Sequence, residues 1–438
     1  MRVDGVLGEW RAITIKFSGE VIPRERDDKA FKGAMFAAYP GDLVFSKIDA
    51  RNGAVGLIPD SIPKAVVTSE YLVFTPKTDK LRAVYLHHLL RADHFKADLQ
   101  RKASGTSGRK RVTPEGFLSL KIPVPTLAEQ DALITIYTDA LARAAQLEQE
   151  AEAIERAGWQ AFETALGVAP PQPLPDRPVF VARFKDVERW SHDGILRSLD
   201  QTTMTSGVVP MVPLGQLGKI SYGIQKCPAN RPAVHARPYL RVANVQRGVL
   251  DLREIKYIDV PDDEMPRLRL EVGDVLLCEG NSPELVGRGA IWRGEIEDCV
   301  HQNHVLRVRV DRDKLLPDFV LAVINSSYGQ AYFRSKAKRT TNLASINSKE
   351  VASLPVPVLS IDRQQELLDA LHAQVQAAQT KRAEAATLRQ SAWAAFQSAL
   401  FTTESPARLD QVEPGGIQTH HQIKTLPGLK NGEDLKER

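Results

Sequence analysis

The hexapeptide DLREIK (residues 251–256) combines an acid with a Glu-x-Lys, as metal-dependent nucleases do when they hold Mg²⁺ and activate water. The match is weak, because the hexapeptide falls in an apparently alternating strand and the first half of the chain supplies no partner for it. The sequence contains no GxxxxGK[ST] phosphate loop, no GxGxxG cofactor turn, no [DN]PP[YFW] tetrapeptide and no GxSxG elbow. We therefore predict no catalytic residue, no cofactor and no metal ligand in this chain.

Two short basic runs have the composition of polyanion-binding loops. RKASGTSGRKR (101–111) has five basic and no acidic residues, and RSKAKRTTN (334–342) lies roughly half a chain later. Lysine and arginine neutralise phosphates, and glycine and serine let backbone amides approach them. Phosphate contact is predicted for Arg101, Lys102, Arg109, Lys110, Arg111, Arg334, Lys336, Lys338 and Arg339. The alternative is that both runs are merely solvated loops.

Three further polar stretches contain side chains of the types that can read base edges. Arginine and asparagine make paired hydrogen bonds to guanine and adenine in the major groove of DNA. The candidates are Lys47, Arg51 and Asn52 in SKIDARNG, Asn281, Ser282 and Arg288 at the matching place in the second half, and Arg241, Asn244 and Gln246 in LRVANVQ. A structural role, in turn capping or core hydrogen bonding, is the alternative for each of them.

The composition is that of a globular protein. The chain has 438 residues, of which 43% are hydrophobic and 26% charged, with a formal net charge of +4. No apolar run approaches the roughly 20 residues of a membrane span. The N-terminal MRVDGVLGEW lacks the apolar core of a signal peptide. Cys227, Cys278 and Cys299 form no CxxC, so we expect reduced thiols in a cytoplasmic protein.

The chain repeats itself at a nearly constant offset. PVPTLAEQDAL (123–133) resembles PVPVLSIDRQQEL (355–367), and WQAFETAL (159–166) resembles WAAFQSAL (393–400). GAVGLIP and EYLVFTP of the first half have counterparts in GRGAIWR and NHVLRVR of the second. Several separate matches at one offset indicate an internal duplication.

Each copy is predicted to be a strand-rich globule followed by a long helix. Alternation in DLVFSKI and YLVFTP indicates strands, and residues 85–102 are predicted to form one amphipathic helix that ends near the basic run. The PVP tripeptides should end regular structure, since proline lacks an amide proton. Beyond them, apolar and small residues recur at the alternating four- and three-residue spacing of a coiled coil, at Leu133, Tyr137, Ala140, Ala144, Leu147 and Ala151 in the first copy.

These patterns predict an α+β fold in six segments. They are a first globule over 1–126, a helix over 127–166, a proline-rich linker over 167–178, a second globule over 179–358, a helix over 359–401 and a disordered tail over 402–438. Two helices from a direct repeat can pack antiparallel, which relates the globules by a pseudo-twofold axis. Such a rod would set the distance between two basic modules on a long polyanion.

Longer stretches resemble the specificity subunit of type I restriction–modification enzymes. They are RPYLRVANVQRGVLDLREIKYIDV (237–260), GDVLLCEGNSPELVGRGAIW (273–292), CVHQNHVLRVRVD (299–311) and TTNLASINSKEVASLPVPVLSIDRQQELL (340–368), with GDLVFSKIDARNGAVGLIP (41–59) and IPVPTLAEQ (122–130) from the other copy. The resemblance implies two target-recognition domains joined by two antiparallel helices, each domain reading one part of a bipartite duplex DNA site. It also implies methyltransferase subunits held by the helices, a motor-nuclease restriction subunit as further partner, and a role in phage defence without chemistry in this chain.

The two copies are unequal in length, and other functions stay open. With an offset of 232, Met1 corresponds to position 233, so we expect the first recognition domain to be short at its N-terminus. A coiled-coil scaffold that binds no nucleic acid would use the same helices but would leave the basic runs unexplained. A metal-dependent nuclease remains the other alternative.

Overall fold

The computed structural model describes residues 2–3, 9–24, 34–103, 111–168, 179, 181–184, 195, 209–339, 343–401 and 417–419. The chain divides into two compact units. The first comprises Met1–Leu147 with Ala383–Arg438, and the second comprises Glu148–Arg382. Both units contain sheets covered by helices, so the fold is α+β as predicted.

The first unit contains two sheets. Its strands are β1 (Arg2–Val3), β2 (Arg11–Ile15), β3 (Val21–Pro23), β4 (Met35–Ala38), β5 (Leu43–Ser46), β6 (Val55–Leu57), β7 (Ala65–Thr68) and β8 (Tyr71–Pro76). Its short helices are α1 (Ala83–Leu90), α2 (Asp93–Lys102) and α3 (Pro114–Leu118). One sheet has the order β1-β4-β7-β2-β3, and the other joins β8, β5 and β6. The rings of Phe45, Phe74 and Phe117 stack between the second sheet and the helices, with centroids 4.5–6.0 Å apart.

The second unit repeats this plan with more strands. They are β9 (Met211–Pro213), β10 (Gly218–Tyr222), β11 (Ala236–Leu240), β12 (Lys256–Asp259), β13 (Val275–Cys278), β14 (Gly280–Asn281), β15 (Gly289–Ile291), β16 (Val300–His301), β17 (Val305–Val310), β18 (Lys338–Arg339), β19 (Ala344–Ser345) and β20 (Pro355–Pro357). Its short helices are α5 (Met265–Leu268), α6 (Pro317–Asn325), α7 (Ser327–Lys336) and α8 (Ser348–Ala352). The central sheet has the order β10-β17-β13-β15, so β13, β15 and β17 take the places of β5, β6 and β8.

The long helices are α4 (Leu127–Ala165) and α9 (Ile361–Phe401). Within the first unit, the Tyr137 ring lies 5.6 and 5.5 Å from the rings of Trp393 and Phe396. Further along, Leu147 packs on Ala385. Residue numbers therefore rise on one helix as they fall on the other, which is an antiparallel contact.

The second unit contains an antiparallel contact between the remaining parts of the same two helices. Lys381 Nζ donates to Glu150 at 2.5 Å, whereas Gly158 lies so close to Gln374 that a Cβ there would be 2.7 Å from the Gln374 Cβ. Of the predicted seam positions, Tyr137, Ala144, Leu147 and Ala151 are buried, as a coiled-coil pattern requires.

Gln130, in the first turn of α4, fastens that helix to the first globule. Its side chain is fully buried. The Oε1 atom accepts from Arg82 N at 2.8 Å, and Nε2 donates to the carbonyls of Lys80 and Pro125 at 3.0 and 2.8 Å. The amide thus satisfies backbone groups that would otherwise be buried without partners.

Gln364 does the same at the start of α9 in the second unit. It is also fully buried. It accepts from Leu316 N at 2.8 Å and donates to the carbonyls of Lys314 and Leu359, both at 2.9 Å. Each of the four residues stands 234 positions after its counterpart in the first copy, so the duplication extends to single hydrogen bonds.

The prediction of one helix over residues 85–102 is wrong, because a break separates α1 from α2. Ala92 is extended, and the freed amide of Asp93 donates to Gln397 Oε1 at 3.2 Å. In the second unit the same break precedes Ser327, whose amide and hydroxyl donate to Glu163 at 2.6 and 2.8 Å. A polar side chain from a long helix caps the second short helix in both cases.

Two other segments differ from their prediction. The second PVP does not end regular structure, since Pro355–Pro357 forms β20 and pairs antiparallel with β9. In the predicted tail, Ile417–Thr419 form a strand, β21, that pairs with the edge of β8. The remainder of 402–438, and most of the linker, lie outside the described residues. None of the helices in the described part of the chain is long and apolar enough to cross a membrane.

Candidate nucleic-acid interface

A small sheet in the second unit brings together two of the predicted groups. The order is β14-β19-β18, with Asn281 opposite Ala344 and Ala344 opposite Arg339. The stretch that starts at Asn281 and the second basic run, which begins 53 residues later at Arg334, are therefore neighbours in one ribbon. Lys338 is exposed on its outer strand. The arrangement places candidate base-reading and phosphate-binding residues on one surface.

Asn281 and Ser282 are half-buried and turn the chain out of this ribbon. The Asn281 Oδ1 atom accepts from Ser282 N at 2.9 Å. The Ser282 carbonyl accepts from the amides of Leu285 and Val286, both at 3.0 Å. Both residues thus have a structural role that leaves the Asn281 amide nitrogen and the Ser282 hydroxyl outside these bonds.

Arg241, Asn244 and Gln246 lie on one loop but differ in how far their side chains are exposed and hydrogen-bonded within the protein. Asn244 is buried and accepts from Arg241 N at 2.9 Å while it donates to the carbonyls of Asp251 and Glu254. Arg241 donates to the Glu254 carbonyl at 3.1 Å. Gln246 is half-buried and donates to the Ala243 carbonyl at 2.8 Å. Asn244 is therefore a loop-forming residue.

Arg288 and the basic residues on α7 surround the same loop. Arg288 is 8% exposed, and its Nε donates to the Val245 carbonyl at 2.9 Å. Arg334 and Lys336 are half-buried in the last turn of α7, where cations favour the carbonyl end of the helix. The position of the Arg339 side chain lies outside the described atoms.

In the first unit, the corresponding loop carries the predicted Lys47, Arg51 and Asn52. Lys47 Nζ donates to the Ser69 carbonyl at 2.6 Å. Arg51 and Asn52 lie in a one-turn helix, in which the exposed Asn52 amide donates to Asp49 at 3.3 Å. The side chain of Arg51 is outside the described part of the structure.

The first basic run meets this loop at its C-terminal end. The Val112 amide donates to the Lys47 carbonyl at 2.8 Å, and Arg111 forms a two-point ion pair with Glu70 at 3.0 and 3.2 Å. That pair raises the pKa of Arg111 above its usual value. Glu70 therefore holds Arg111 beside Lys47.

The remaining residues of this run end the helix α2. Arg101 is exposed and pairs with Asp98, and Lys102 Nζ donates to Ser119 Oγ at 2.7 Å. Arg109 and Lys110 lie outside the described residues, so their predicted phosphate contacts stay predictions.

Sequence reasoning missed Arg247, which lies beside Gln246. Its guanidinium donates to Gln330 Oε1 at 2.8 Å. Burial lowers the pKa of Arg247, and the nearby charges of Arg334 and Arg288 lower it further. The sequence shows an arginine next to the turn residue Gly248, but Arg247 lies outside both basic runs and was therefore not predicted.

The acidic residues of DLREIK are already engaged by basic neighbours. Asp251 accepts from Arg253 Nε and Nη2 at 2.9 and 2.6 Å, and these bonds lower the pKa of Asp251 to about 2. Glu254 pairs with Arg241 and Lys256 at 3.6 and 3.4 Å. The predicted strand begins only at Lys256. Across the described residues, no three His, Cys, Asp or Glu side chains are grouped so as to hold a metal ion.

Known proteins match this chain over different parts of its length. Residues 27–156 match the model of the type I restriction modification DNA specificity domain. The putative type I restriction enzyme MjaX specificity subunit of Methanocaldococcus jannaschii is 27% identical over 131 residues, which cover 30% of this chain and 31% of that protein. The EcoKI specificity subunit of Escherichia coli K12 is 21% identical over 286 residues, covering 65% of this chain and 56% of that protein.

A solved structure extends the likeness to the second unit. It belongs to work on complex assembly and conformational transition of the type I R-M system, and it superimposes with a TM-score of 0.54. The superposition covers 89% of this chain and 90% of that one at 18% identity, which shows a shared fold. These matches confirm the resemblance predicted from the longer stretches of sequence: the chain is similar to type I restriction–modification specificity subunits.

Proposed function

We propose that this chain is the DNA-recognition subunit of a type I restriction–modification complex. Each unit reads one part of a bipartite duplex site, and the chain itself is not catalytic. Methyltransferase subunits bind the long helices, and the restriction subunit joins that complex. The observation that carries this proposal is the duplication down to Gln130 and Gln364, since two like modules suit a ligand with two like binding places.

The length of the helices supports a bipartite site. Helices of 39 and 41 residues are about 60 Å long at 1.5 Å rise per residue. Equivalent major-groove faces of B-DNA recur every 34–36 Å or so. In this proposal, α4 and α9 are the antiparallel coiled coil that joins the two recognition domains and sets the distance between the two half-sites.

The interface in each unit is the loop and basic run described above. In the second unit it contains Gln246, Asn281, Ser282 and Lys338, and in the first Lys47, Asn52 and Lys102. Arg51 and Arg339, whose side chains lie outside the described part of the structure, are expected members. We leave Asn244 and Arg288 out of the base contacts because both are buried. We also propose that the protein acts in the cytoplasm.

Co-expression with type I methyltransferase subunits, followed by genome-wide mapping of methylated adenine, tests this function. We expect one motif with two half-sites. Replacing residues 209–339 with the aligned segment of a relative should change one half-site and leave the other intact. A change in both half-sites, or methylation without this chain, would contradict the proposal.

The purified chain and its complex with methyltransferase subunits also distinguish the two alternative functions, a nuclease and a scaffold. DNA cleavage by the purified chain with Mg²⁺ alone would favour a nuclease, and Asp251→Asn would then abolish it. Capture of methyltransferase subunits without any binding of duplex DNA by the complex would favour a scaffold.

A further inference from the structure

Arg247, Arg288 and Arg334 are neighbouring arginines of the second unit, and their lack of a charged partner is shared by Arg307 and Arg312, which donate only to backbone carbonyls. Among the described residues, no carboxylate forms an ion pair with any of the three. Other arginines of this unit are paired: Arg237 with Asp262 and Asp298, Arg253 with Asp251, Arg293 with Asp318 and Arg309 with Asp274. The group therefore carries an uncompensated positive charge.

Backbone and amide contacts hold Arg247 at the turn. Arg247 donates to Gln330 Oε1 at 2.8 Å and to the Glu284 carbonyl at 3.4 Å. Gln330 is itself fixed, because it is 3% exposed and donates to the Ile324 carbonyl at 3.1 Å. These acceptors orient the Arg247 guanidinium without neutralising it.

Arg334 and Arg288 approach the turn from two other elements. Arg334 follows Gln330 by four residues on α7, so both side chains lie on one face of that helix. Arg288 donates to the Val245 carbonyl, and the Gly248 amide donates to the Gly289 carbonyl at 2.8 Å, which ties the turn to β15. Three like charges thus converge from a turn, a strand and a helix.

Convergence of like charges raises the free energy of the isolated protein, unless an anion binds there. Guanidinium groups match phosphate oxygens in geometry, and they remain charged at every physiological pH. Arg247 is exposed and Arg334 is half-buried, so both are accessible to a ligand. Arg288, at 8% exposure, adds its charge from beneath.

The equivalent turn of the first unit carries fewer such charges, because among the described residues only one arginine without a carboxylate partner, Arg91, lies against it. The turn there also has a glycine at positive φ, Gly19, and its Lys16 pairs with Glu20 at 2.8 Å. Ala54 stands where the second unit has Arg288, because Ser46 N donates to Ala54 O as Cys278 N donates to Arg288 O. Among the described residues, three such arginines at this turn are thus a feature of the second unit, whereas the first unit has one.

We propose that Arg247, Arg288 and Arg334 form a phosphate-binding site for the backbone of duplex DNA, present in the second unit only. This proposal rests on the proposed DNA-recognition function. It adds that the two units bind the DNA backbone with different strength. The second unit holds the duplex by phosphate contact more strongly than the first at this turn.

Binding of the full chain to a short fluorescent duplex, measured by anisotropy over a range of KCl concentrations, tests the site. We expect Arg247→Ala and Arg334→Ala each to weaken binding to all sequences and to make the log–log salt slope shallower by about one. Arg253→Ala is the matched control, since Arg253 is 90% exposed but paired with Asp251, and its slope should equal that of the wild type. Arg334→Ala keeps the test valid if Arg247→Ala fails to fold, because Arg334 holds no hydrogen bond that its loss would break.

The outcomes separate the site from the function. Wild-type slopes in both variants, with DNA binding retained, would overturn the site and leave the function standing. Absence of duplex binding by the wild-type chain, alone and with methyltransferase subunits, would overturn both. Thermal stabilisation by inorganic phosphate that is lost in Arg247→Ala, with unchanged DNA slopes, would assign the site to free phosphate and overturn the DNA assignment.

Discussion

The first and second units share the contacts that hold their long helices and differ in the groups they present around their loops. Gln130 and Gln364 make the same three hydrogen bonds, and the buried Asp42 and Asp274 each accept from the amide three residues earlier, at 2.8 Å. These contacts tie helices and strands into one frame. Their repetition shows that the two units share this frame.

The polar surface varies between the two frames. Lys47 of the first unit occupies the place of Glu279 in the second. The Lys47 amide donates to the Glu70 carbonyl and its carbonyl accepts from Val112 N, and Glu279 makes the same two bonds with His304 and Ile346. Glu279 contacts His304 at 2.6 Å, whereas Lys47 contacts a backbone carbonyl. Units that kept one frame but changed these charges would read different bases, as the proposed function requires.

The largest expected effect comes from the shared glutamines. Gln364→Leu would leave one N–H and two carbonyls at a partly buried junction without this partner, at about 1 kcal/mol each, so the second unit should lose roughly 3 kcal/mol of unfolding free energy. Gln130→Leu should cost the first unit a similar amount. Hydrogen exchange resolved by peptide, in increasing denaturant, measures both. Gln365→Leu is the control, because that side chain is exposed and bonds only Asp369.

Unequal losses of stability in the two variants would contradict the equivalence of the two glutamine contacts. If Gln364→Leu destabilised the second unit by several kcal/mol while Gln130→Leu left the first unchanged, the two helices would not be held by equivalent contacts.

The sequence predicted the parts of the fold that depend on periodicity. Strands at DLVFSKI and YLVFTP and helices after each PVP follow from spacing, and the buried seam at Ala144, Leu147 and Ala151 does too. The breaks before Asp93 and Ser327 could not be predicted. Their caps are Gln397 and Glu163, which lie far away in sequence and reach the helix ends only in the folded unit.

The sequence indicated which residue types belong to the candidate site, but it did not show which of these side chains are exposed. The basic runs predicted phosphate contact for Lys338 and Arg111, which stays a prediction, whereas Asn244 and Arg288 looked equally polar and are buried in the fold. A side chain such as Asn244 serves its own loop by bonding carbonyls at positions 251 and 254, which residue type alone does not reveal. Arg247 was missed because its lack of a carboxylate partner is visible only in the folded structure.

A pH-dependent effect of similar size distinguishes the units. His88 of the first unit is buried against the rings of Tyr137 and Phe396, and burial lowers its pKa to about 3, helped by the charges of His87 and Arg91. The unfolded chain therefore takes up this proton near pH 6.5, well before the folded one does. Stability is complete above that pH and falls as the pH decreases, by about 3 kcal/mol at pH 4 for this residue.

His88→Phe should remove that loss, since a phenyl ring keeps the edge contacts and carries no proton. Denaturant unfolding followed by hydrogen exchange in the first unit, at pH 7 and pH 4, measures the difference. His94→Phe is the matched control, because His94 is exposed in the neighbouring helix. Equal pH dependence in His88→Phe and wild type would show that this burial has no linkage to folding.

The smallest effect concerns the edge of β8. β21 pairs there in the register Ile417 to Pro76 and Gln418 to Thr75, and in the second unit β10 pairs with β17 in the matching register, Gly218 to Val310 and Lys219 to Arg309. A strand from after the long helix thus occupies the place that a strand before β11 takes in the second unit. Replacing residues 417–419 by Gly-Gly-Ser should speed amide exchange in Tyr71–Pro76 by roughly five- to thirty-fold, as expected for a loss of about 1–2 kcal/mol.

Exchange in Val305–Val310 is the internal control for this last change, because β10 still covers that edge. A peptide spanning residues 412–424, added in excess, should restore protection in Tyr71–Pro76 if backbone pairing is what matters at that edge. Unchanged exchange in Tyr71–Pro76 would mean that β8 does not need a strand on this side. The two central sheets would then differ in size as well as in the charges around their loops.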